Sequence, residues 1–269
     1  MNPALDRLHP YPFEKLRSLF ADLAPADLPA LNLGIGEPQH EPPVFVRDAL
    51  VEKLRGLANY PATRGLPELR EAMSRWLCRR FALPSIDPES EILPVAGTRE
   101  GLFAIAQTLI DRSGQPLVLC PNPFYQIYEG AALLAGAQPW FMNTTLATGY
   151  LPDFDAVPAD VWQRCQLVYI CSPGNPTGAV MSRERRLKLV ELAREHDIPV
   201  IEDNCYGDVH YDGEKPPALY ALDDDPRQIY LCSLSKIFAP GVRLGYLVVR
   251  PPMLDKVLAK RNDAGPNTL

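Results

Sequence analysis

A lysine surrounded by anion-binding residues is the first candidate for chemistry in this chain. Lys236 lies in the segment SLSKIFAPGVRLGY, directly after a β-rich run and before a Pro-Gly turn. A lysine at the inner edge of a sheet has a lowered pKa, and its neutral amine can attack a carbonyl carbon. Ser233 and Arg243 could bind a phosphate beside it, the arginine as a bidentate clamp. A lone lysine would instead indicate a solvated surface charge, so these neighbours support the functional interpretation.

An acid and a phenol follow a second apolar run. In VIEDNCY, Asp203 comes at the end of the predicted strand and Tyr206 follows three residues later. A carboxylate at the end of a buried strand is partly desolvated, so it favours a cationic or protonated partner. The alternative is that Asp203 only caps a helix or turn, and the segment alone leaves both interpretations open.

Asn175 lies in a loop stiffened by prolines. In ICSPGNPTGAV, an apolar run is followed by two prolines and two glycines around this asparagine. Each proline fixes its own φ and biases its neighbour away from helix. Rigid loops at strand ends are where open α/β sheets place ligand-binding groups. The pattern favours an amide held in a fixed position near a ligand, with an ordinary Pro/Gly turn as the alternative.

A possible phosphate loop precedes the helix predicted from TREGLFAIAQTLID. In VAGTRE, Gly97 leaves backbone N–H groups accessible, and a helix N-terminus favours an anion such as phosphate. The Thr98 hydroxyl could add a further donor. Many strand–helix connections have this composition, so an ordinary helix cap remains the alternative.

The elements that must position these groups alternate along the chain. Short apolar runs such as QLVYIC, IPVIED and IYLCS are separated by amphipathic helical segments such as LPELREAMSRWLCRRF and SRERRLKLVELAREHD. This alternation predicts an α/β fold with a mostly parallel sheet covered by helices. The candidate groups follow strand ends, which form the ligand-binding edge of such a sheet. Residues 1–40 are predicted to form an arm outside the sheet.

Composition and charge restrict the class of protein. A chain of 269 residues with 46% hydrophobic content can bury a large core, and a net charge of −6 argues against nucleic-acid or anionic-membrane binding. The sequence contains no run of about 18 apolar residues and no signal-peptide pattern at its start. Six scattered cysteines without a C-x-x-C pair, and four histidines without metal-ligand spacing, predict reduced thiols, no metal site and a cytoplasmic protein.

A phosphate cradle, a strand-end acid and a recessed lysine are together what pyridoxal phosphate requires. The lysine forms a Schiff base with this cofactor, and the acid keeps its pyridine nitrogen protonated. On these motifs, the chain resembles the class I/II, fold-type I aminotransferases from about Tyr11 to its last residue. The resemblance implies a large domain over residues 41–252, with a mostly parallel seven-stranded sheet flanked by helices in a three-layer sandwich.

The resemblance also implies a role for each candidate residue. Lys236 would be the cofactor-bonded lysine, Asp203 would pair with the pyridinium nitrogen, and Tyr206 and Asn175 would contact the ring O3′. Tyr125 in NPFYQIY would stack on the ring face. The positions that match the family's phosphate contacts are Gly97, Thr98, Arg99, Ser233 and Arg243.

Two further matches concern the substrate and a second subunit. Tyr60 matches a tyrosine that reaches the phosphate of the neighbouring subunit, which implies a homodimer with shared sites. Gly36 in LGIGEP matches a segment lying over the substrate, so residues 1–40 would belong to the small domain and substrate lid. Asn175 is also expected near the substrate.

The chain ends at Leu269, where members of this family usually continue. Residues 253–269 resemble the start of an interdomain helix, and we expect the small C-terminal domain to be absent, as in a fragment or a shortened form. We find no arginine matching the one that binds the substrate α-carboxylate.

The resemblance differs between the two parts of the sequence, and this affects the predicted substrate. Segments such as HPYPFEKLRSLF and PDFDAVPADVWQRC are similar to the N-succinyldiaminopimelate aminotransferases of lysine biosynthesis. From about Ile198 onward, VIEDNCYGDVHYDGE and SLSKIFAPGVRLGYLV are more similar to aminoadipate-type aminotransferases and to regulators with aminotransferase-like domains. Both groups use the same cofactor contacts.

The resemblance therefore predicts a transaminase that uses an amino acid and 2-oxoglutarate, with N-succinyl-L,L-2,6-diaminopimelate as the preferred substrate. Alternatives are other pyridoxal-phosphate chemistry on the same fold, such as a β-lyase or decarboxylase, an aminoadipate or aromatic transaminase, and a non-catalytic regulatory module.

Overall fold

Seven strands form one sheet at the centre of the molecule. The structure is a computed structural model that describes residues 1, 3–24, 27–29, 31 and 33–264. Its strands are β1 (Ile92–Val95), β2 (Leu117–Asn122), β3 (Gln138–Asn143), β4 (Cys165–Cys171), β5 (Val200–Asp203), β6 (Gln228–Ser233) and β7 (Gly245–Val249). Their order across the sheet is β1-β7-β6-β5-β4-β2-β3.

Helices separate most of the strands along the chain. In the described residues they are α1 (Pro12–Leu19), α2 (Val44–Lys53), α3 (Pro67–Phe81), α4 (Thr98–Leu109), α5 (Ile127–Ala135), α6 (Ala159–Arg164), α7 (Arg183–His196), α8 (Leu219–Leu222) and α9 (Met253–Ala264). None of these helices has the length and apolar character needed to cross a membrane.

The direction of β7 explains where Lys236 lies. Strands β3, β2, β4, β5 and β6 pair in parallel, whereas β7 pairs antiparallel with both β6 and β1. Antiparallel neighbours need no crossover helix. The connection between β6 and β7, residues 234–244, therefore stays at the carboxyl end of β6, and Lys236 lies within it.

Both faces of the sheet are covered, as the sequence predicted. Leu167 and Tyr169 of β4 pack on one face with residues of α4, α5 and α9, whereas Val168 and Ile170 pack on the other with residues of α6 and α7. Toward β6 and β7, the second face packs against α3 and α8. A parallel sheet buried on both faces accounts for the near-continuous apolar runs of its strands. The predicted three-layer α/β fold is confirmed.

The described residues before position 41 lie outside this sheet. Helix α1 has no buried residue, although the arm contacts the main body where Gln126 Nε2 donates to the His9 carbonyl at 3.4 Å. All six cysteines fall within the described residues and none forms a disulfide, in agreement with the predicted reduced thiols.

Candidate active site

Asp203 is the most buried charged group at the carboxyl edge of the sheet. It is the last residue of β5 and only 3% exposed. The Tyr128 hydroxyl donates to Oδ2 at 2.7 Å, and the Cys205 thiol donates to Oδ1 at 2.8 Å. Burial raises the pKa of the Asp203 carboxyl, while the two donors lower it. Both carboxylate oxygens are thus fixed in place by donors from this chain.

Tyr128 is a site residue that sequence reasoning missed. It lies in the first turn of α5, stacks on Tyr169 with ring centroids 4.7 Å apart, and meets Tyr125 edge-on at 6.0 Å. The available signal was the three-residue spacing of the two tyrosines in YQIY, which places them on one side of a helical turn.

Gly97 and Arg243 form an anion cradle at the start of α4. Gly97 has φ +86°, and a Cβ built there would lie 2.3 Å from Arg243 Nη2, so only glycine leaves room for the guanidinium. The amide nitrogen of Thr98 comes within 3.3 Å of the place where a Cβ on Gly245 would lie. Backbone N–H groups at a helix N-terminus beside a guanidinium are suited to a phosphate.

Lys236 lies beside this cradle with the predicted aromatic neighbour. Its Nζ is 5.9 Å from the centroid of the Tyr206 ring and donates to the carbonyl oxygen of Gly36. Burial raises the pKa of the Tyr206 hydroxyl. Ser233, the last residue of β6, is buried and its Oγ accepts from the Ser235 amide at 3.1 Å. The structure therefore brings Lys236, Tyr206, Ser233 and the arm residue Gly36 to one edge.

Arg99 and Tyr125 form a pair at the rim of the cradle. Arg99 Nε donates to the Tyr125 hydroxyl at 2.8 Å, and its guanidinium carbon is 5.5 Å from the centroid of the tyrosine ring. The side chain of Arg99 thus holds Tyr125, while its backbone belongs to the first turn of α4.

Asn175 and Tyr60 are placed less directly by the contacts within this chain. Asn175 is half-buried in the loop after β4, whose last residue, Cys171, pairs with Asp203 in the sheet register. Tyr60 is 99% exposed and makes no side-chain hydrogen bond within the described residues. An exposed phenol is compatible with a contact to a second subunit, which the single chain does not test.

A lysine, a buried acid and an anion cradle at the carboxyl edge of a parallel sheet are typical of pyridoxal-phosphate enzymes of the α/β class. The family model for aminotransferases of class I and II matches residues 29–264, and the chain belongs to this family. Members of this family use pyridoxal phosphate.

Individual relatives narrow the comparison. An LL-diaminopimelate aminotransferase from Desulforudis audaxviator (strain MP104C) is 36% identical over 213 residues, which cover 78% of this chain and 54% of that protein. The crystal structure of an aminotransferase from Neisseria meningitidis Z2491 has a TM-score of 0.94 and 38% identity, covering 100% of this chain and 70% of that one. A probable N-succinyldiaminopimelate aminotransferase from Thermus thermophilus has a TM-score of 0.81 and 31% identity, covering 88% and 64%.

The residues at the carboxyl edge fit the family's cofactor. The space left by Gly97 in front of Arg243 suits a phosphate, and the buried Asp203 suits a protonated ring nitrogen. The half-buried Lys236 supplies an amine at the same edge. The donor set contains no element that conflicts with this cofactor.

Proposed function

We propose that this chain provides the cofactor-binding part of an aminotransferase that acts on a diaminopimelate-type substrate in lysine biosynthesis, with 2-oxoglutarate as the acceptor of the amino group. The observation that supports it most directly is the convergence of Asp203, Lys236 and the Gly97–Arg243 cradle at one sheet edge. The chain spans 54% of the length of the diaminopimelate aminotransferase compared above.

Each residue of the proposed site has a defined task. The Gly97 and Thr98 backbone, Ser233 and Arg243 bind the phosphate, and Tyr125 packs on the ring while Arg99 orients it. Asp203 holds a proton at the pyridine nitrogen, and Tyr206 and Asn175 donate to the ring oxygen. The bound cofactor supplies an electron sink for the substrate α-carbon. Lys236 Nζ takes the proton that leaves this carbon and returns it to the carbon of the acceptor.

Two forms of the substrate are compatible with the comparisons. Similarity to an LL-diaminopimelate aminotransferase favours the free diamino acid, whereas similarity to a probable N-succinyldiaminopimelate aminotransferase favours the succinylated form that the sequence predicted. Glutamate formation from 2-oxoglutarate, measured with each donor in turn, decides between them.

The same assay separates transamination from the alternatives. We expect glutamate to form with one of the two donors and Lys236→Ala to abolish its formation. Pyruvate and ammonia without a new amino acid would indicate a β-lyase instead. Cofactor binding without turnover of a broad amino-acid panel would contradict the proposal and favour a regulatory module.

We also propose that the protein is a cytoplasmic homodimer in which Tyr60 reaches the partner's phosphate site. The full exposure of Tyr60 and a net charge of −6 support this proposal, and nucleic acid and membranes are not expected partners.

A further inference from the structure

We propose that Cys205 is a positioning residue, whose thiol connects the ring-binding Asp203 to the phosphate-binding end of helix α4. The proposal rests on the cofactor site described under the proposed function and adds a residue that neither the motifs nor the family resemblance assigned.

The contacts of Cys205 differ from those of the other buried thiols. Its sulfur lies 2.8 Å from Asp203 Oδ1 and 3.5 Å from Thr98 Oγ1. Four other thiols donate to backbone carbonyls instead, in cores or strand ends where no side-chain acid takes part; these are Cys120, Cys165, Cys171 and Cys232. Cys205 is therefore the cysteine whose proton faces a carboxylate of the proposed site.

The direction of the two hydrogen bonds follows from the chemistry of the groups. A thiol has one proton, and an ionised carboxylate can only accept. The proton of Cys205 therefore points to Asp203, and the sulfur lone pairs accept the hydroxyl proton of Thr98. The resulting chain, Thr98 Oγ1 to Cys205 Sγ to Asp203 Oδ1, connects the two ends of the cofactor site. A shift of the α4 N-terminus would thereby be felt at the acid.

The thiol also favours the ionised form of Asp203, which a protonated ring nitrogen requires. Burial raises the pKa of this carboxyl, and the donors Cys205 and Tyr128 oppose that rise. The other groups that act on it are Glu202 of the same strand, which raises its pKa, and Lys236, which lowers it. Loss of the thiol would remove the first of the two donors while leaving Tyr128 in place.

The test compares Cys205→Ala, Cys205→Ser and a matched control. Cys120→Ala removes an equally buried thiol whose partner is a backbone carbonyl, so it controls for lost packing volume. Two quantities are measured on each variant: the dissociation constant for pyridoxal phosphate, by absorbance titration, and the midpoint of the Asp203 carboxyl titration without cofactor. The second uses ¹³C-labelled aspartate, with Asp203→Asn to identify the resonance.

We expect Cys205→Ala to bind the cofactor about tenfold more weakly, at the lower end for a hydrogen bond to a charged group. The Asp203 midpoint should rise by about one pH unit, since one unit corresponds to that tenfold change. Cys205→Ser keeps a donor and should resemble the wild type in both quantities, as should Cys120→Ala.

Two results would overturn the proposal. One is a Cys205→Ala variant that matches Cys120→Ala in both affinity and midpoint. The other is a Cys205→Ser variant that loses as much as Cys205→Ala, because packing volume would then be the cause. If the wild-type chain binds no cofactor, the cofactor site fails, but the Asp203 midpoint still decides the role of the thiol.

Discussion

Asp203 ties the stability of the apoprotein to the chemistry of its proposed site. Its pKa is raised from the ordinary value of 3.8 because burial penalises the charged form. The folded state therefore holds this proton to a higher pH than the unfolded state does. The stability that the group contributes is present below pH 3.8 and is lost as the pH rises through the folded-state pKa.

The first prediction follows from that sign. Between pH 4 and pH 8, the free energy of unfolding of the wild-type apoprotein should fall relative to that of Asp203→Asn, by roughly 1 kcal/mol or more. Urea denaturation of both proteins across this range measures the difference. A difference that rises with pH would mean that the carboxyl is stabilised as an anion without cofactor, contrary to its burial.

At the same scale, Tyr128→Phe removes the hydroxyl that donates to Asp203 Oδ2 but keeps the ring that stacks on Tyr169. We expect the apoprotein to remain folded and the affinity for pyridoxal phosphate to fall about tenfold, since a hydrogen bond to a charged group is lost. Tyr169→Phe is the matched control, because its hydroxyl donates to the Leu102 carbonyl at 2.7 Å instead. Equal affinities of the two variants would remove Tyr128 from the site.

At the scale of elements, the contact between the α4 N-terminus and the β6–β7 connection depends on Gly97. Gly97→Ala should destabilise the chain by about 1–3 kcal/mol through backbone strain and should weaken cofactor binding further by displacing Arg243. Gly149→Ala controls for the backbone alone, because Gly149 also has a positive φ, +62°, but open space around it. Cofactor titrations and thermal unfolding separate the two effects, and equal affinities of both variants would contradict the cradle.

A buried ion pair holds β5 in position behind the site. Arg186 of α7 donates to Glu202, whose other oxygen accepts from the Leu219 amide at 2.7 Å, so one carboxylate joins two helices to the strand that ends in Asp203. Glu202→Gln should cost about 3 kcal/mol, because Arg186 would keep a buried and uncompensated charge. Chemical denaturation measures this cost, and Glu52→Gln, in an exposed pair, should change nothing measurable. A cost near zero would show that water reaches Arg186.

The sequence predicted these elements better than their contacts. Apolar runs bounded by Pro and Gly indicated the parallel strands, because strands buried on both faces need little else. The antiparallel direction of β7 was not predicted, since an apolar run carries no sign of strand direction. Asp203 and Lys236 could be singled out because both follow strands. Tyr128 and Cys205 could not, because their partner at Asp203 is brought to them only by the fold.

At the scale of the whole molecule, the proposed dimer makes a prediction about mixed subunits. Tyr60 is fully exposed and, in the proposal, completes the phosphate site of the partner subunit. Tyr60→Ala and Lys236→Ala should each fail to form a borohydride-stable cofactor bond at low cofactor concentration, the first through weak binding and the second through loss of the amine.

Mixing the two variants after reversible dissociation should restore that bond. In a two-fold symmetric dimer, each mixed pair contains one site with both substitutions and one site with neither, so about one quarter of all sites should be labelled. Mass spectrometry of the reduced protein counts them, and sedimentation velocity verifies the dimer. If Tyr60 served its own subunit's site, every site in the mixture would carry one substitution and labelling would stay at the level of the separate variants.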